Sequence, residues 1–390
     1  MGERLGRYLV RERIGRGGMG EVFAGELVGA DGFSREVAIK RIRCDISANP
    51  AFARRFVREA RIASLLHHDN IVSVLDFDRD ARGQYYLVME RIRGVDLAAL
   101  WATGRLPTGP AVFIATAILR ALAHTHELDY RGRPLGLVHR DVSPHNVMLS
   151  WSGQVKLMDF GVAHAVRAAA GSLAGSLPGR GGVRGTASYM SPEQTHDLEL
   201  DGRADLFSTG VILHELLTGQ RLFAGVNATA SMELVLRKSV PSPAVLQPDI
   251  PASVATVCLR LLARDRRARF ENARVALSAL RAASAPVEVA TAGLRQLLAE
   301  RFPERFPLTP RGDGRCACPK EVPLAPSLIL DDPAAAVLQD AATRTVPGPG
   351  QGPTRQSLGP MRTRPGRLLL AMLPILGLPI LGLLAALALW

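Results

Sequence analysis

Cysteine is scarce in this chain, with four residues among 390, at positions 44, 258, 316 and 318. Their spacing fits neither a disulfide framework nor a set of zinc ligands, which excludes a disulfide-rich secreted class. Only Cys316 and Cys318 stand close together, in a CxC segment rich in proline and glycine. A metal-binding or redox use of that pair stays open, and the main body is expected to be reduced and cytosolic.

A dense basic block is also missing, although the net charge is +12 with 48 Lys and Arg against 36 Asp and Glu. Arg is scattered along the chain without interleaved aromatic residues, so we expect no nucleic-acid partner. The N-terminus lacks the apolar core of a signal peptide. Gly6 stands where a myristoylation signal after Gly2 would need Ser or Thr.

The distribution of apolar residues divides the chain into three parts. Residues 8–283 alternate strand-like and helix-like segments with short turns, as in a globular domain. Residues 284–366 are rich in Pro, Gly and Arg, which predicts a linker. Within that linker, residues 288–302 could form one amphipathic helix, either docked on the main domain or lying free.

Charged residues are absent from residues 368–390, an apolar run long enough to cross a bilayer. Pro374 and Pro379 weaken a straight helix, but membrane helices tolerate proline. The basic residues that precede the run, which favour a cytoplasmic flank, are Arg355, Arg362, Arg364 and Arg367. We predict a single-pass anchor in the lipid bilayer with the main domain in the cytoplasm. A buried core helix, or a re-entrant hairpin broken at the prolines, is the alternative.

The first motif with chemical meaning is IGRGGMGEVFAGEL, in which Gly15, Gly17 and Gly20 form GxGxxG. A dinucleotide-binding turn of this spacing must open a helix. Here Val22 and Phe23 follow in a strand-like pattern, so the glycines are predicted to cap a β-hairpin. Because glycine has no side chain, the backbone N–H groups of such a turn can approach phosphate oxygens closely. A plain hairpin turn is the alternative.

Two charged residues follow at positions that could serve a nucleotide. Lys40 ends the strand-like REVAIK, and a lysine beside a glycine-rich hairpin can hold phosphates as a point charge. Glu59 follows nineteen positions later, in a segment with apolar residues at helical spacing that include Ile62, Leu65 and Leu66. Each could be a solvated surface charge, and the competing interpretation is an ion pair that positions Lys40.

Two later motifs supply carboxylates and an amide. In HRDVSPHN, Asp141 and Asn146 stand five positions apart in a loop between apolar segments, and VKLMDFGVA places Asp159 eighteen positions after Asp141. A carboxylate and an amide oxygen are hard ligands suited to Mg²⁺. Another carboxylate can accept the proton of a substrate hydroxyl.

In this joint order the motifs resemble those of bacterial, membrane-attached serine/threonine protein kinases of the eukaryotic type. The resemblance covers about residues 8–283 and includes GTASYMSPEQ, where Ser191 replaces the usual Ala, and RDRRARF, whose Arg269 would pair with Glu193. It implies an α+β, two-lobed protein kinase fold. The mostly-β N-lobe would span about 8–92 and the mostly-α C-lobe about 93–283, followed by the transmembrane helix.

The resemblance also assigns roles to residues. ATP and Mg²⁺ are the implied cofactors, Asp141 is the catalytic base, and Lys40 holds the α- and β-phosphates while pairing with Glu59. Asn146 and Asp159 would bind the metal. The remaining nucleotide contacts are implied for Gly15, Gly17, Gly20, Val22, Ala38, Met89, Glu90, Ile92 and Met148.

One position departs from the family pattern, because Ser143 stands where serine/threonine kinases most often carry Lys. Losing a cation that contacts the γ-phosphate would slow transfer by ~10² to 10³ without abolishing it. The lysine and both aspartates that pseudokinases usually lose are all present. We therefore expect an active enzyme acting on protein substrates, and a catalytically silent pseudokinase scaffold is the alternative.

Regulation and assembly are less determined by the sequence. In the family, the arginine at the position of Arg140 often binds a phosphate on the activation loop. Ser172 and Ser176 are the phosphorylatable residues between Gly161 and Gly185, and the basic loop could also need no phosphate. Thr186 favours Ser/Thr over Tyr substrates by the same resemblance. An anchor would raise local concentration and permit trans-autophosphorylation in a homodimer.

Overall fold

The computed structural model describes residues 3–17, 20–47, 50–160, 187–196, 198–285 and 290–307. Its N-terminal part is built on one antiparallel sheet. Its strands are β1 (Arg4–Leu5), β2 (Tyr8–Gly17), β3 (Gly20–Val28), β4 (Ser34–Ile42), β5 (Val74–Arg79) and β6 (Tyr85–Glu90). Their order in space is β1-β2-β3-β4-β6-β5. Helices α1 (Cys44–Ser47) and α2 (Pro50–Ala63) connect β4 to β5.

The alternation of residues along β4 decides which side chains face the inner surface of this sheet. Val37 and Ile39 pack in one apolar cluster, whereas Ala38 packs in a second cluster together with Phe56 and Ala60 of α2. Because side chains on a strand alternate between faces, Lys40 lies on the Ala38 face, and it is 8% exposed. The pattern of REVAIK therefore directs the lysine into the protein rather than into solvent.

Helix α2 is shorter at its C-terminal end than the apolar spacing predicted. The N–H groups of Leu65 and Leu66 bond to the carbonyls of Ile62 and Ala63, three residues back, which is the bonding of a tight turn. Leu65 is consequently exposed, while Leu66 is buried in the core of the C-terminal part. The two leucines thus lie in a turn and not on the helix.

The C-terminal part is mostly helical and has one large apolar core. Its helices are α3 (Leu97–Ala102), α4 (Thr108–His126), α5 (Pro192–Thr195), α6 (Arg203–Thr218), α7 (Ala228–Arg237), α8 (Pro243–Leu246), α9 (Ala252–Leu261), α10 (Ala273–Ala283) and α11 (Thr291–Arg301). A small sheet orders β11 (Val155–Leu157), β10 (Val147–Ser150) and β7 (Gly94–Asp96), and β8 (Asp129–Tyr130) pairs with β9 (Arg133–Pro134). Helices α4 and α6 pack together at the centre.

Residues 290–307 belong to this core, although the sequence placed them in the predicted linker 284–366. Leu294 and Leu298 of α11 are fully buried and Leu297 is 5% exposed. Of the two alternatives left open for residues 288–302, the structure therefore shows the docked helix, over Thr291–Arg301. The linker over 308–366 stays a prediction, because those residues lie outside the described ranges.

The predicted membrane anchor at 368–390 also lies outside the described residues, as do Ser172, Ser176 and Thr186. Among the helices that the structure does describe, none combines the length and the apolar character needed to span a bilayer. The anchor therefore stays a prediction.

Candidate active site

Lys40 and Asp159 form a largely buried ion pair between the two parts of the domain. The Lys40 Nζ lies 2.7 Å from Oδ1 and 2.8 Å from Oδ2 of Asp159, and the side chains are only 10% and 19% exposed. Asp159 directly follows Met158 after β11, so the pair joins the inner strand β4 to the C-terminal part. Glu59 lies on α2 as predicted, but its side chain is outside the described part, so its pairing with Lys40 stays a prediction.

Asp141 and Asn146 are brought together by a tight turn. The Asn146 Nδ2 donates to the Asp141 carbonyl at 2.8 Å and to its Oδ2 at 3.1 Å. The backbone N–H of Met158 donates to the Asn146 carbonyl at 2.9 Å, which holds Asp159 next to this loop. Because the Asn146 amide nitrogen faces Asp141, the amide oxygen is the atom left to ligate a cation.

Ser143 begins the turn that places Asn146. Its carbonyl accepts the Asn146 N–H at 3.0 Å, and Pro144–Asn146 form one turn of 3₁₀ helix. The Ser143 residue itself is 3% exposed. The departure from the family pattern therefore sits in the packed base of the loop, within the turn that connects Asp141 to Asn146.

Two residues of these motifs have left-handed backbone conformations. Arg140 has φ 67° and Asp159 has φ 63°, a region that residues other than glycine rarely adopt. Such conformations persist only where the surroundings fix them. Two hydrogen bonds fix the Arg140 backbone. Its N–H donates to Asp205 Oδ1 at 2.8 Å, and its carbonyl accepts from Gln194 Nε2 at 2.8 Å.

Asp205 is a buried carboxylate beside the loop of Asp141 that the sequence analysis did not single out. Its Oδ2 accepts the His139 N–H and the His126 Nε2–H, each at 2.8 Å, and it is 1% exposed at the start of α6. Burial by itself raises the pKa of Asp205, but the hydrogen bond and charge of His126, followed by His139, hold the pKa below its ordinary value. The signal that could have found it is an aspartate opening the apolar helix DLFSTGVILHELL.

The glycine motif forms the predicted β-hairpin. Strands β2 and β3 pair with Gly17 opposite Gly20 and Gly15 opposite Val22. The three glycines differ in their surroundings, because a Cβ at Gly20 would overlap the Arg41 carbonyl, whereas a Cβ at Gly17 would meet nothing within 4 Å. Gly20 is therefore required by the sheet itself, and Gly17 is open for approach by a ligand.

Four of the six predicted nucleotide contacts other than Lys40 and the glycine motif share one apolar cluster. Val22, Ala38, Met89 and Ile92 pack in or against it, and Ala38 pairs with Met89 across β4 and β6. Met148 lies apart from that cluster on β10, opposite Lys156 and Asp96. Glu90 marks the end of β6, where its carboxylate accepts from Lys156 Nζ at 2.7 Å and Ser73 N at 2.8 Å.

The predicted pair of Glu193 and Arg269 is confirmed. Arg269 Nη1 and Nη2 donate to the two Glu193 oxygens at 2.7 and 2.8 Å, with both side chains almost fully buried. Three backbone carbonyls accept the remaining donors of this guanidinium, those of Ala263, Arg203 and Arg264. The pair fastens α5, just after the activation segment, to the loop before α10.

Comparison with known proteins agrees with this arrangement. A family model described as "Protein kinase domain" matches residues 8–279. Tyrosine-protein kinase MasK of Myxococcus xanthus is 38% identical over 283 residues, covering 70% of this chain and 42% of that protein. Serine/threonine-protein kinase PrkC of Bacillus subtilis is 36% identical, covering 70% and 40%. This chain therefore spans about two fifths of the length of these relatives.

A solved structure shows the same fold. The kinase domain of Mycobacterium tuberculosis PknI superimposes with a TM-score of 0.54 at 28% identity, covering 72% of this chain and 98% of that domain. The described two-part architecture is thus a known one, with a β-rich N-lobe and a helical C-lobe.

Proposed function

Because the chain belongs to the protein kinase family, we propose that it transfers the γ-phosphoryl of ATP to Ser or Thr side chains of proteins, with Mg²⁺ as cofactor. One observation carries the proposal. The Lys40–Asp159 ion pair and the Asp141–Asn146 pair lie side by side, linked through the Met158 N–H. These four side chains supply a cation for phosphates, oxygen ligands for a metal and a carboxylate for a proton.

The residues present fit the cofactors. Asp159 and the amide oxygen of Asn146 are the hard oxygen donors that Mg²⁺ prefers, and they would hold it. When bound, the metal supplies positive charge that offsets the charge developing on the phosphates. Lys40, buried and aimed at the Asp159 carboxylate, is the point charge for the phosphates, and the Gly17–Gly20 hairpin offers backbone N–H groups.

Asp141 is the group that accepts the proton of the substrate hydroxyl. Its Oδ2 is held at 3.1 Å by Asn146 Nδ2, and the Asp141 N–H donates to His139 Nδ1 at 3.3 Å. The carboxylate is thereby oriented before a substrate arrives, which is how positioning lowers a barrier without covalent chemistry.

Serine and threonine are the proposed acceptors, supported by the similarity to PrkC, which is named a serine/threonine-protein kinase, and by the resemblance at Thr186. MasK is named a tyrosine kinase, so the acceptor needs its own test. Acid hydrolysis of the labelled product and separation of phosphoserine, phosphothreonine and phosphotyrosine would decide. Label in phosphotyrosine alone would contradict the proposal.

The alternative is a pseudokinase scaffold, which the replacement at Ser143 favours. The deciding experiment incubates the full chain with ATP labelled at the γ-phosphate, Mg²⁺ and a basic protein acceptor, beside Asp141→Asn. Label incorporated by the wild type and lost in Asp141→Asn supports a kinase. Retained nucleotide binding with no label in the wild type supports the scaffold.

We further propose that the enzyme works at the membrane as a single-pass protein with its kinase domain in the cytoplasm. The charge-free run 368–390 and the arginines before it support this proposal. Concentration at a surface would favour trans-autophosphorylation in a homodimer. Crosslinking of membrane-bound chains, compared with a chain ending at residue 307, would test the dimer.

A further inference from the structure

The segment 290–307, which we call the brace, lies beyond the residues 8–279 that the kinase family model matches. It is nonetheless fixed in the C-terminal core, where Leu294 and Leu298 are fully buried. The start of α11 abuts the turn between β10 and β11, since a Cβ on Gly153 would come within 2.7 Å of the Thr291 carbonyl. The brace is therefore packed at both its helix start and its apolar face.

Beyond α11 the brace contacts Trp151, the first residue after β10. The rings of Phe302 and Phe306 meet the Trp151 ring edge-on, with centroids 6.1 and 5.7 Å away and interplanar angles of 61° and 73°. This is the favourable geometry for aromatic pairs. The Arg305 guanidinium also lies 5.9 Å from the Trp151 ring centre. Two rings and a cation thus fix the Trp151 side chain.

Trp151 in turn holds the connection between the lobes. Its backbone N–H donates to the Arg93 carbonyl at 3.0 Å, and Arg93 lies between β6 and β7. The Arg93 Nε donates to Glu36 Oε2 at 2.7 Å, and Glu36 lies on β4, four residues before Lys40. We call residues 91–93, which connect β6 to β7, the hinge. A continuous set of contacts therefore runs from the brace through the hinge to the strand that carries Lys40.

A second set of contacts reaches the catalytic loop. Arg301 Nη1 donates to the Thr103 carbonyl at 2.6 Å, at the end of α3. Asp96 caps the start of α3 through the Ala99 N–H at 2.7 Å, and it lies 3.6 Å from His145, next to Asn146. Burial raises the pKa of Asp96, but His145, the Ala99 N–H and the charge of Arg305 bring it below its ordinary value.

We propose that the brace positions the hinge of this kinase for nucleotide binding, acting through Trp151 on Arg93 and through Arg301 on α3. The inference rests on the proposed function, and it adds positioning residues that lie outside the matched domain. Because interfaces of packed side chains have discrete arrangements, loss of the Trp151 contacts would let the hinge adopt others. The affinity for nucleotide would then fall while the acceptor site stays intact.

The test compares the full chain with the variant Phe302→Ala/Phe306→Ala. We expect the KM for ATP and the dissociation constant of ADP with Mg²⁺, measured by calorimetry, to rise about tenfold. The KM for a protein acceptor should change by less than about twofold. Arg301→Gln, which removes a hydrogen bond without opening a cavity, should weaken ADP binding about threefold.

The matched control is Leu280→Ala, a fully buried leucine of α10 in the same core. It should lower the melting temperature as the phenylalanine variant does and leave ADP affinity unchanged. Equal losses of melting temperature with unchanged ADP affinity in every variant would overturn the brace as a positioning element. If the variants weaken ADP binding as expected but the wild type transfers no phosphate, the proposed function is wrong and the role of the brace is still supported.

Discussion

At the scale of single residues, the carboxylate of Asp205 supports the backbone of the loop that carries Asp141. Its two oxygens accept the N–H groups of His139 and Arg140, and the second of these residues has a left-handed backbone. An unsatisfied buried donor costs free energy, so the carboxylate stabilises a conformation that the loop would not otherwise keep.

Asp205→Asn is expected to lower the free energy of unfolding by about 1–3 kcal/mol at neutral pH, because the amide leaves one buried N–H poorly satisfied. We expect kcat to fall by about 10²-fold, since the loop that carries Asp141 shifts. Urea unfolding and steady-state kinetics would check both. A variant with wild-type kcat would show that the loop does not depend on this carboxylate.

The same residue predicts a pH dependence of stability. Its folded pKa lies below the ordinary 3.8, so its contribution is fully present above the unfolded pKa and is lost as pH falls through the folded value. The difference in unfolding free energy between wild type and Asp205→Asn should thus be constant above about pH 5 and shrink below about pH 4. A difference that grew on acidification would contradict the assigned direction.

Ser143 gives a second prediction at this scale. Ser143→Lys should raise kcat by about tenfold, because a cation beside Asp141 can contact the transferring phosphoryl. We expect this rise in kcat to be smaller than the ~10²- to 10³-fold change that removing one oxyanion donor causes. The reason is that Ser143 is 3% exposed and burying an ammonium group is costly. Ser143→Ala is the control and should stay within about threefold of the wild type. An unchanged kcat in a folded Ser143→Lys would mean that the loop does not use a cation there.

At the scale of elements, the three glycines of the hairpin are not equivalent. Gly20→Ala should lower the free energy of unfolding by about 3 kcal/mol or more, since the new methyl overlaps the Arg41 carbonyl of the paired strand. Gly17→Ala should change it by less than about 1 kcal/mol, because its Cβ meets open space. Thermal or urea unfolding of the two variants would check the difference, and equal losses would contradict it.

The Glu193–Arg269 pair joins two elements of the C-lobe. Glu193→Gln should destabilise the domain by about 3–5 kcal/mol, because it leaves a buried guanidinium without its charge partner. The double variant Glu193→Gln/Arg269→Met should recover part of that loss. Unfolding experiments on the three proteins form the test. A double variant less stable than Glu193→Gln would show that the carbonyl contacts of Arg269 dominate.

At the scale of the whole molecule, the motifs predicted the two lobes because they are local patterns that together resemble a known family. The β-hairpin follows from strand alternation, whereas the inward Lys40 and the Glu193–Arg269 pair were expected only from the family resemblance. The Asp205 contacts could not be predicted, and neither could the choice between a docked and a free α11. Both depend on residues more than sixty positions apart in sequence meeting in the fold. Proline and glycine in the following residues also made α11 resemble the start of a linker.

The C-terminal run provides the last prediction. The full chain, expressed in bacteria, should stay in the membrane pellet after an alkaline carbonate wash and after about 1 M salt. A chain ending at residue 307 should remain in the supernatant. The salt wash matters because a net charge of +12 can hold a protein on anionic lipid by electrostatics alone. At 1 M the screening length is about 3 Å, so such binding would be lost.

The variant Leu378→Arg/Leu383→Arg distinguishes an inserted anchor from electrostatic binding to the membrane surface. It should weaken insertion and strengthen electrostatic binding. Two arginines near the centre of the run cost about 2.5–3.5 kcal/mol each for insertion, so an inserted anchor should be released by carbonate in this variant. The same arginines add charge, so purely electrostatic binding would become stronger at low salt. Release of the wild-type chain by salt, with tighter low-salt binding of the arginine variant, would reject the anchor and leave a peripheral kinase.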